Sequence, residues 1–528
     1  MAASIGNVNA RGVPWGLADA ARWRAAFWIA WAVMLAVHVA LAATLSPFGD
    51  EAWYWQESRA LDWSYSDLPP ATATLIRLGE ALLGHGVLPM RAPFLLLGAL
   101  LPLLLVRTGR RVFGAAQGWQ TGLLALAMPL TGTLGILALP DVPLTVCSVI
   151  ALDALERAMR ERRLGSWIIL GLALAGAWLC HYRAAMLLCA GIVFLSATAR
   201  GRQLWREPGL WLALAISAIG LAPLIAFNVT HEWAALRFQA IDRNPWSFHA
   251  DALVQPLEQA LVCTPLFYLL LLWAAWQCVR RARDGGPWDL LAVCGVVPIA
   301  AFLILGCFAD DTRFRVHWPL PGYMPLLLAV PPLLAQTAWR RAVLVAIHSL
   351  LLAGQVVASV YLGAAATARG ASALAGIKAF PEHFVGWSEA GSRTRALLAQ
   401  ARVADAVLVA DNFMLAAELD FALDGARAVY VLDHPINAKH GRAAQLRLWN
   451  RDETALAALG HRSVLLAAEP TARRERERAA WMQSLCRRVS GLQPVAALDL
   501  FGARKRYRWF VGSIPPNGAA SADCPAAP

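Results

Sequence analysis

The chain of 528 residues is 58% hydrophobic and only 16% charged, which excludes an ordinary soluble domain and indicates a polytopic membrane protein. The net charge of +12 does not favour nucleic-acid binding, because the arginines recur between apolar segments, as they do in membrane proteins. Most of the nine cysteines lie inside apolar blocks, so the sequence predicts neither a disulfide framework nor a metal site of cysteines.

A transmembrane helix needs about 20 apolar residues, and eleven segments qualify after a polar stretch at 1–23. No cleavable signal peptide is evident. The second, fourth, fifth and sixth segments are short or closely joined, so the count is open by one. The predicted spans are 25–45, 90–106, 117–138, 141–156, 165–181, 184–199, 208–228, 256–279, 288–308, 319–337 and 342–366.

The arginines support this order of spans. If the N-terminus is cytoplasmic and the spans alternate, every inner turn is basic, as the positive-inside rule requires. The outer side then receives a long first loop (46–89), the loop 229–255 and everything after about 367. Ionisable residues near the membrane ends also gather there, and such residues favour function because they are costly at that depth. They include Asp50, Glu51, Asp141, His181, Arg183, Asp310 and His317.

The first outer loop has two stretches with helical spacing, Asp50 to Leu61 and Ala71 to Leu83. Both are too short and too polar to span a membrane, so we expect helices that lie in the interface. Aromatic residues of this loop are expected at headgroup level. They are Trp53, Tyr54, Trp55, Trp63 and Tyr65.

Beyond about residue 385 the pattern predicts strands alternating with helices, hence a small α/β domain with a largely parallel sheet. The predicted domains are a transmembrane domain (1–370), an outer α/β domain (371–512) and a disordered tail (513–528). Predicted strands are 406–410, 429–432 and 463–466, with a closing hairpin at 495–500 and 506–511. Predicted helices are 412–422 and 473–488.

Asp50 and Glu51 are candidate catalytic groups, because a carboxylate at a membrane boundary can act as a general base. As neighbours on a helix they cannot share one face. The alternative is that they only favour the N-terminal dipole of a helix. Asp141 is equally plausible as a helix N-cap and as a catalytic acid group.

Cations at the outer boundary are candidates for binding a lipid phosphate, which suits a guanidinium. Snorkelling at the interface is the alternative. No HxxxH or HExxH spacing occurs, so a metal has little support, and no GxGxxG or P-loop indicates a nucleotide. The cationic candidates are His181-Tyr182-Arg183, Arg237, Arg243, Arg313, Arg315 and His317.

Several of these stretches together resemble the bacterial family-39 glycosyltransferases of the GT-C fold, which include the protein O-mannosyltransferases and the lipid A aminoarabinose transferase. The resemblance runs from about residue 45 to 450. The matching pieces are Asp50-Glu51-Ala52-x-Tyr54-Trp55, Leu61 to Pro70, Leu75-Ile76-Arg77-Leu78-Gly79, Leu139-Pro140-Asp141-Val142-Pro143-Leu144, His181-Tyr182-Arg183-Ala184-Ala185, Val316 to Tyr323, and Leu432-Asp433-His434-Pro435-Ile436-Asn437.

The resemblance implies an inverting sugar transfer from a polyprenyl-phosphate donor to a lipid, glycan or protein, on the periplasmic face of the bacterial inner membrane. No cofactor is implied. Asp50 would be the base, with Glu51 and Asp141 as the other acidic groups of the site. Arg183, Arg243, His181 and Tyr182 would bind the donor phosphate, and Tyr54, Asp67 and His317 are possible substrate-binding residues.

Two departures from the family matter. The aminoarabinose transferases have arginine where this chain has Trp53, and a lysine where it has Leu68. A cation for the phosphate must therefore come from outside the first loop, for which Arg183 and Arg243 are the candidates, and the sugar stays open. Two other functions are alternatives. A transporter or flippase should show internal repeats, and a scaffold would leave the clustered ionisable residues unexplained.

Overall fold

The computed structural model describes residues 17–243, 246–284, 286–308 and 316–515. Two of the predicted cations, Arg313 and Arg315, fall outside the described residues, as does nearly all of the predicted tail at 513–528. The first of those tail residues, Ser513, instead ends a strand.

The N-terminal two thirds of the chain are helical, and each predicted span lies on one or two helices. The helices are α1 (Leu17–Thr44), α2 (Gly49–Arg59), α3 (Ala71–Leu83), α4 (Val87–Phe113), α5 (Ala115–Ala127), α6 (Pro129–Gly132), α7 (Asp141–Glu161), α8 (Leu164–Cys180), α9 (Ala185–Ala197), α10 (Ala199–Leu204), α11 (Pro208–Ile219), α12 (Ala222–Thr230), α13 (Ala234–Arg237), α14 (Gln255–Cys263), α15 (Pro265–Arg281), α16 (Trp288–Leu305), α17 (Leu320–Leu334), α18 (Arg340–Ala365) and α19 (Ala368–Leu374).

The number of membrane spans is not confirmed as eleven. Among the described residues, five helices are long and apolar enough to cross a membrane, or six if one bent pair is a single span. Helices α8, α9 and α17 are apolar but shorter than a bilayer requires when straight. The chain is a multi-pass membrane protein whose span count stays open.

The predicted span 256–279 is broken. Helices α14 and α15 meet at an angle of 110°. The break lies at Thr264, whose φ of 65° is left-handed, and the following Pro265 has no backbone N–H to continue the helix. The apolar composition predicted one straight helix here. Hydropathy averaged over about 20 residues does not register the local effect of a single proline.

Helix α17 forms the centre of the membrane domain. Every one of its residues except Pro321 is buried, as expected of a helix that is apolar all round. It packs against α5, α7, α15 and α16. This buried helix begins directly after Trp318 and Pro319 and so fixes the position of the segment that carries His317.

The C-terminal domain contains one five-stranded sheet in the order β2-β1-β3-β5-β4. Strand β1 runs parallel to β2 and β3, whereas β5 runs antiparallel to β3 and β4. The predicted strands and closing hairpin are confirmed, but the sheet is mixed and not largely parallel. Its elements are α20 (Trp387–Leu398), β1 (Val407–Ala410), α21 (Phe413–Ala422), β2 (Val429–Val431), α22 (Pro435–Lys439), α23 (Arg442–Leu448), α24 (Glu453–Ala458), β3 (Ser463–Ala468), α25 (Arg478–Arg488), β4 (Ser490–Leu500) and β5 (Lys505–Ser513).

The first loop lies between the two domains. The prediction that its aromatic residues lie at the lipid headgroups was wrong for most of them. Helices α2 and α3 form as predicted, but Trp53, Trp55 and Tyr65 are fully buried. Trp53 packs edge-on to Phe413 of α21, with ring centroids 5.5 Å apart. Of the five aromatic residues assigned to the interface, only Trp63 is exposed. The other four are buried because the C-terminal domain covers the loop.

Close packing and hydrogen bonds secure this docking. Gln56 Nε2 donates to Asp420 Oδ2 at 2.7 Å, and Ser66 Oγ donates to the Gly441 carbonyl at 2.6 Å. Gly49 allows the close approach of α21, because a Cβ there would lie 2.7 Å from Met414 Cγ. The first turn of α2, which carries Asp50 and Glu51, is therefore fixed by contacts from the C-terminal domain.

One cysteine departs from the prediction of no disulfide. Cys486, on α25, is disulfide-bonded, whereas the seven cysteines from Cys147 to Cys307 are free. The free thiols lie in the membrane domain, so the apolar position of those residues was interpreted correctly. The late cysteine behaves differently because it belongs to the sheet domain.

Candidate active site

A cavity of about 480 Å³ lies between the membrane domain and the C-terminal domain. Eight of the ten predicted site residues line it, and the exceptions are Glu51 and Tyr182. The eight come from five separate stretches of sequence and meet only through the fold. They are Asp50, Tyr54, Asp67, Asp141, His181, Arg183, Arg243 and His317.

Asp50 reaches the cavity from the first turn of α2. Its side chain is 27% exposed, and Oδ1 lies 3.2 Å from a guanidinium nitrogen of Arg442 on α23. A carboxylate that is partly open to a cavity and lies beside a cation is available to take a proton from a bound molecule. Among the predicted acidic groups, Asp50 thus has the geometry of a base.

Glu51 is placed differently and does not have the predicted catalytic position. Its side chain is fully buried and pairs with Arg91 of α4 through two short bonds, 2.8 Å to Oε1 and 2.6 Å to Oε2. The same carboxylate accepts hydrogen bonds from the backbone N–H of Phe48 (2.9 Å) and of Ala138 (2.6 Å). The helix-start alternative is therefore the better account of Glu51, which stabilises the N-terminus of α2.

The Glu51–Arg91 pair also connects the loops that carry the site. Arg91 donates to the carbonyls of Ala42, Leu45 and Ser46, at the end of α1. Through Ala138, Glu51 reaches the segment that leads into Asp141. The pair therefore fixes the first loop relative to the start of α7 without touching the cavity.

Arg442 lies in a group of carboxyl side chains from the first loop. It contacts Asp67 in a close ion pair and lies 3.8 Å from Glu57. Burial next to Asp67 raises the pKa of the Glu57 carboxyl well above its usual range. This shift favours the protonated form of Glu57, and Asp67 and Asp50 are the carboxyl groups that lie closest to Arg442.

A second acidic group of the cavity is Asp141 at the start of α7. It does not cap the helix with its side chain. Instead, Oδ1 accepts a hydrogen bond of 2.6 Å from Arg183, and Oδ2 lies 3.6 Å from His317 Nε2. The N-cap alternative is thus not observed, and Asp141 orients cationic side chains.

Two arginines of the cavity share an aromatic surface. The guanidinium carbons of Arg183 and Arg243 lie 5.4 and 4.8 Å from the ring centroid of Trp318, within the range of cation–π attraction. The ring of Trp318 holds both planar cations beside the cavity in a geometry that suits an anionic oxygen cluster. The predicted donor-phosphate residues Arg183, Arg243 and His181 are thus brought together, whereas Tyr182 does not line the cavity.

Sequence reasoning missed Arg91, Arg442 and Trp318. A usable signal existed for Arg91, which is a lone charge at the start of an apolar segment. No local signal marked Arg442, which lies in the soluble domain and far along the chain from the first loop. Trp318 was noted only as part of the family-like stretch Val316 to Tyr323.

The chain is similar in sequence to known glycosyltransferases. Residues 67–227, under a third of the chain, match the family described as dolichyl-phosphate-mannose-protein mannosyltransferase. A lipid A galacturonosyltransferase (RgtD) of Rhizobium johnstonii is 26% identical over 355 residues, which cover 62% of this chain and 72% of that protein. These similarities support a glycosyltransferase.

The fold of the chain is also similar to that of solved ArnT structures. The crystal structure of ArnT from Cupriavidus metallidurans bound to undecaprenyl phosphate aligns with a TM-score of 0.66 at 16% identity, over 94% of this chain and 99% of that one. The apo structure of the same protein aligns with a TM-score of 0.65 over 95% and 99% of the two chains. These similarities confirm the predicted fold class, membrane helices followed by a small α/β domain.

Metal use of the transferase stays a prediction. Within the described ranges, no group of three or more His, Cys, Asp or Glu side chains could hold a metal ion. In the cavity, carboxylates instead lie beside arginines: Asp50 beside Arg442, and Asp141 beside Arg183.

Proposed function

We propose that the transferase moves a sugar from a polyprenyl-phosphate donor to a hydroxyl or amine of an acceptor, with inversion at the anomeric carbon. The observation that carries the proposal is the shared cavity, which has a partly exposed carboxylate, Asp50, and the arginine pair Arg183 and Arg243 on the Trp318 ring. The ArnT relative was crystallised with undecaprenyl phosphate, which supports a donor of this class.

In the proposed reaction, an Asp50 oxygen takes the proton of the acceptor group as that group attacks the anomeric carbon. The bond between the anomeric carbon and the phosphate oxygen breaks, and the polyprenyl phosphate leaves with the electron pair. Arg183 and Arg243 stabilise the charge that develops on the leaving phosphate. One displacement from the face opposite the phosphate gives inversion.

The acceptor is a lipid, a glycan or a protein. The curated relative is named for transfer of galacturonic acid to lipid A, which favours a glycolipid acceptor. The departures at Trp53 and Leu68 remain a reason not to assign aminoarabinose as the sugar.

We further propose that the transferase lies in the bacterial inner membrane with its N-terminus in the cytoplasm and its C-terminal domain in the periplasm. The basic turns between the predicted spans support this orientation. The disulfide bond at Cys486 supports an oxidising compartment for the C-terminal domain.

The proposal is tested with Asp50→Asn, which removes basicity and keeps the shape of the side chain. Wild type and variant are supplied with a radiolabelled polyprenyl-phosphate sugar, and label is followed into lipid, glycan and protein fractions. We expect the variant to lose about 10²- to 10⁴-fold in rate. Asp62→Asn is the control, because Asp62 is an exposed carboxylate of the same loop outside the cavity.

Equal transfer by Asp50→Asn and wild type contradicts a role of Asp50 as base. Label that changes leaflet without leaving the polyprenyl phosphate supports the alternative of a flippase.

A further inference from the structure

The C-terminal domain contributes cationic side chains to the cavity through the segment that joins α22 to α23. Lys439, His440 and Arg442 line the cavity from this segment. Gly441 between them has a φ of 75°, and a Cβ there would lie 2.7 Å from the Phe238 ring of the membrane domain. The segment is thus pressed onto the membrane domain at the point where it enters the cavity.

Arg442 is the most enclosed of these cations. Its side chain is 3% exposed, and its guanidinium carbon lies 5.0 Å from the Trp53 ring centroid and 5.2 Å from that of Tyr54. A buried guanidinium is tolerated only when it is paired. Its Nη2 contacts Asp50 and its Nη1 contacts Asp67, so both terminal nitrogens are engaged by carboxylates of the first loop.

Those contacts decide whether Arg442 binds the donor phosphate or positions Asp50. A cation that binds the donor phosphate needs N–H groups that are not already paired with protein, as Nε and Nη1 of Arg183 are among the described residues. Arg442 instead directs its terminal nitrogens at two carboxylates, one of which is Asp50. Because Asp67 anchors the other nitrogen, the guanidinium forms a rigid bridge that fixes where Asp50 Oδ1 lies.

We propose that Arg442 is a positioning residue that holds Asp50 in place for proton transfer, and that the docked C-terminal domain is thereby part of the active site. This inference rests on the proposed function, because it assumes that Asp50 is the base. This role also accounts for Trp53, at the position where the aminoarabinose transferases have an arginine. The Trp53 ring packs against the guanidinium of Arg442 from the C-terminal domain.

The experiment uses the full-length protein in detergent with a polyprenyl-phosphate sugar donor. Arg442→Ala is expected to lower kcat by about 10²-fold, since a misplaced reacting group costs about that much, and to leave the KM for the donor unchanged. Arg442→Lys, which keeps the charge but cannot bridge two carboxylates, is expected to recover part of kcat. Added guanidinium ion should raise the kcat of Arg442→Ala. Arg447→Ala is the control, because Arg447 is exposed on the same helix and outside the cavity.

A double-mutant cycle separates positioning from phosphate binding. In the Asp50→Asn background, Arg442→Ala should cause no further loss of kcat, because residues that act as a unit are not additive. A raised donor KM with additive losses would overturn the inference in favour of phosphate binding. If Arg442→Ala does not fold, Arg442→Lys decides: a lower kcat with wild-type KM supports positioning, and wild-type kcat contradicts it.

The outcome also distinguishes this inference from the proposed function. Activity of Asp50→Asn equal to wild type removes the base and the inference together. An inactive Asp50→Asn beside a fully active Arg442→Ala leaves the proposed function intact and removes only the role of Arg442.

Discussion

Asp50 and Glu51 are neighbours in the sequence, and each meets an arginine, but in two different regions of the molecule. Glu51 and Arg91 are both fully buried within the membrane domain, and every contact of the pair is to protein. Asp50 is 27% exposed at the cavity and meets Arg442 from the C-terminal domain. The helical turn separates the two side chains by about 100°. Glu51 therefore faces the protein interior, whereas Asp50 faces the cavity, where we propose that it acts as the base.

The difference teaches how this fold uses ion pairs. The Glu51–Arg91 pair holds two loops of one domain together, and this role does not require access to a substrate. The Asp50–Arg442 pair joins two domains and leaves one carboxylate within reach of a substrate. A buried ion pair adds little net stability, but removing one partner is costly because the other charge is left unpaired. Mutation of the Glu51–Arg91 pair should therefore mainly lower stability, and mutation of the Asp50–Arg442 pair should mainly lower the rate of transfer.

The largest effect is expected from Arg91→Met. It leaves Glu51 charged and buried, and it removes the donors to Ala42, Leu45 and Ser46, so the free energy of unfolding should fall by about 3–5 kcal/mol. Thermal unfolding in detergent measures this loss. The double variant Arg91→Met, Glu51→Gln should recover part of it, because no charge stays unpaired. An unchanged melting temperature for Arg91→Met would remove the distinction between the two regions.

The buried carboxyl of Asp411 should behave differently from either pair. Burial, followed by the charge of Glu469, raises the pKa of Asp411 to about 7. Because this pKa is raised above its unfolded value, the contribution to stability is complete below about pH 4 and is lost as the pH rises to about 7, by a few kcal/mol. Melting temperatures of wild type and Asp411→Asn between pH 4 and 8 measure this loss, which the variant should lack.

The control for this prediction is Asp433→Asn. Asp433 follows β2 much as Asp411 follows β1, but it is exposed, so its variant should keep the pH dependence of wild type. Parallel curves for wild type and Asp411→Asn would show that the buried carboxyl does not titrate in this range.

The third arginine–carboxylate pair, Arg183 with Asp141, lies in the cavity and within the membrane domain. Arg183→Gln should raise the KM for the polyprenyl-phosphate donor about 10- to 100-fold, the cost of one hydrogen bond to a charged group. Steady-state kinetics with varied donor measure it. Arg237→Gln is the control, because Arg237 is exposed and outside the cavity. A change in kcat alone would assign Arg183 to positioning, as proposed for Arg442.

The sequence predicted the helices and the strands, and most of its candidate site residues line the cavity, because apolar blocks, turn residues and family-like stretches are local patterns. It did not predict which way Glu51 points, since helical spacing separates two neighbours without saying which one faces a partner. Arg442 was out of reach for another reason. Its role depends on docking of the C-terminal domain onto the first loop, and that contact joins residues more than 370 positions apart.

The same docking explains the error about the aromatic residues. Trp53 and Trp55 have the composition of an interfacial belt, and composition alone cannot distinguish a lipid headgroup from a covering domain. Trp53 Nε1 donates to Glu57 Oε1 at 2.8 Å and Trp55 Nε1 donates to Glu80 Oε1 at 2.8 Å. Both indole groups are thus satisfied inside the protein, which permits their complete burial.

The smallest effect is expected from Glu57→Gln, although Glu57 is as buried as Glu51. Burial beside Asp67 raises the pKa of Glu57 well above its usual range. This shift favours the neutral carboxyl, and glutamine keeps its shape and a donor for Asp67. The free energy of unfolding at neutral pH should change by less than about 1 kcal/mol. At alkaline pH wild type should lose stability as Glu57 ionises, and the variant should not. A loss as large as that of Arg91→Met would mean that Glu57 is charged and that Arg442 needs it as an ionic partner.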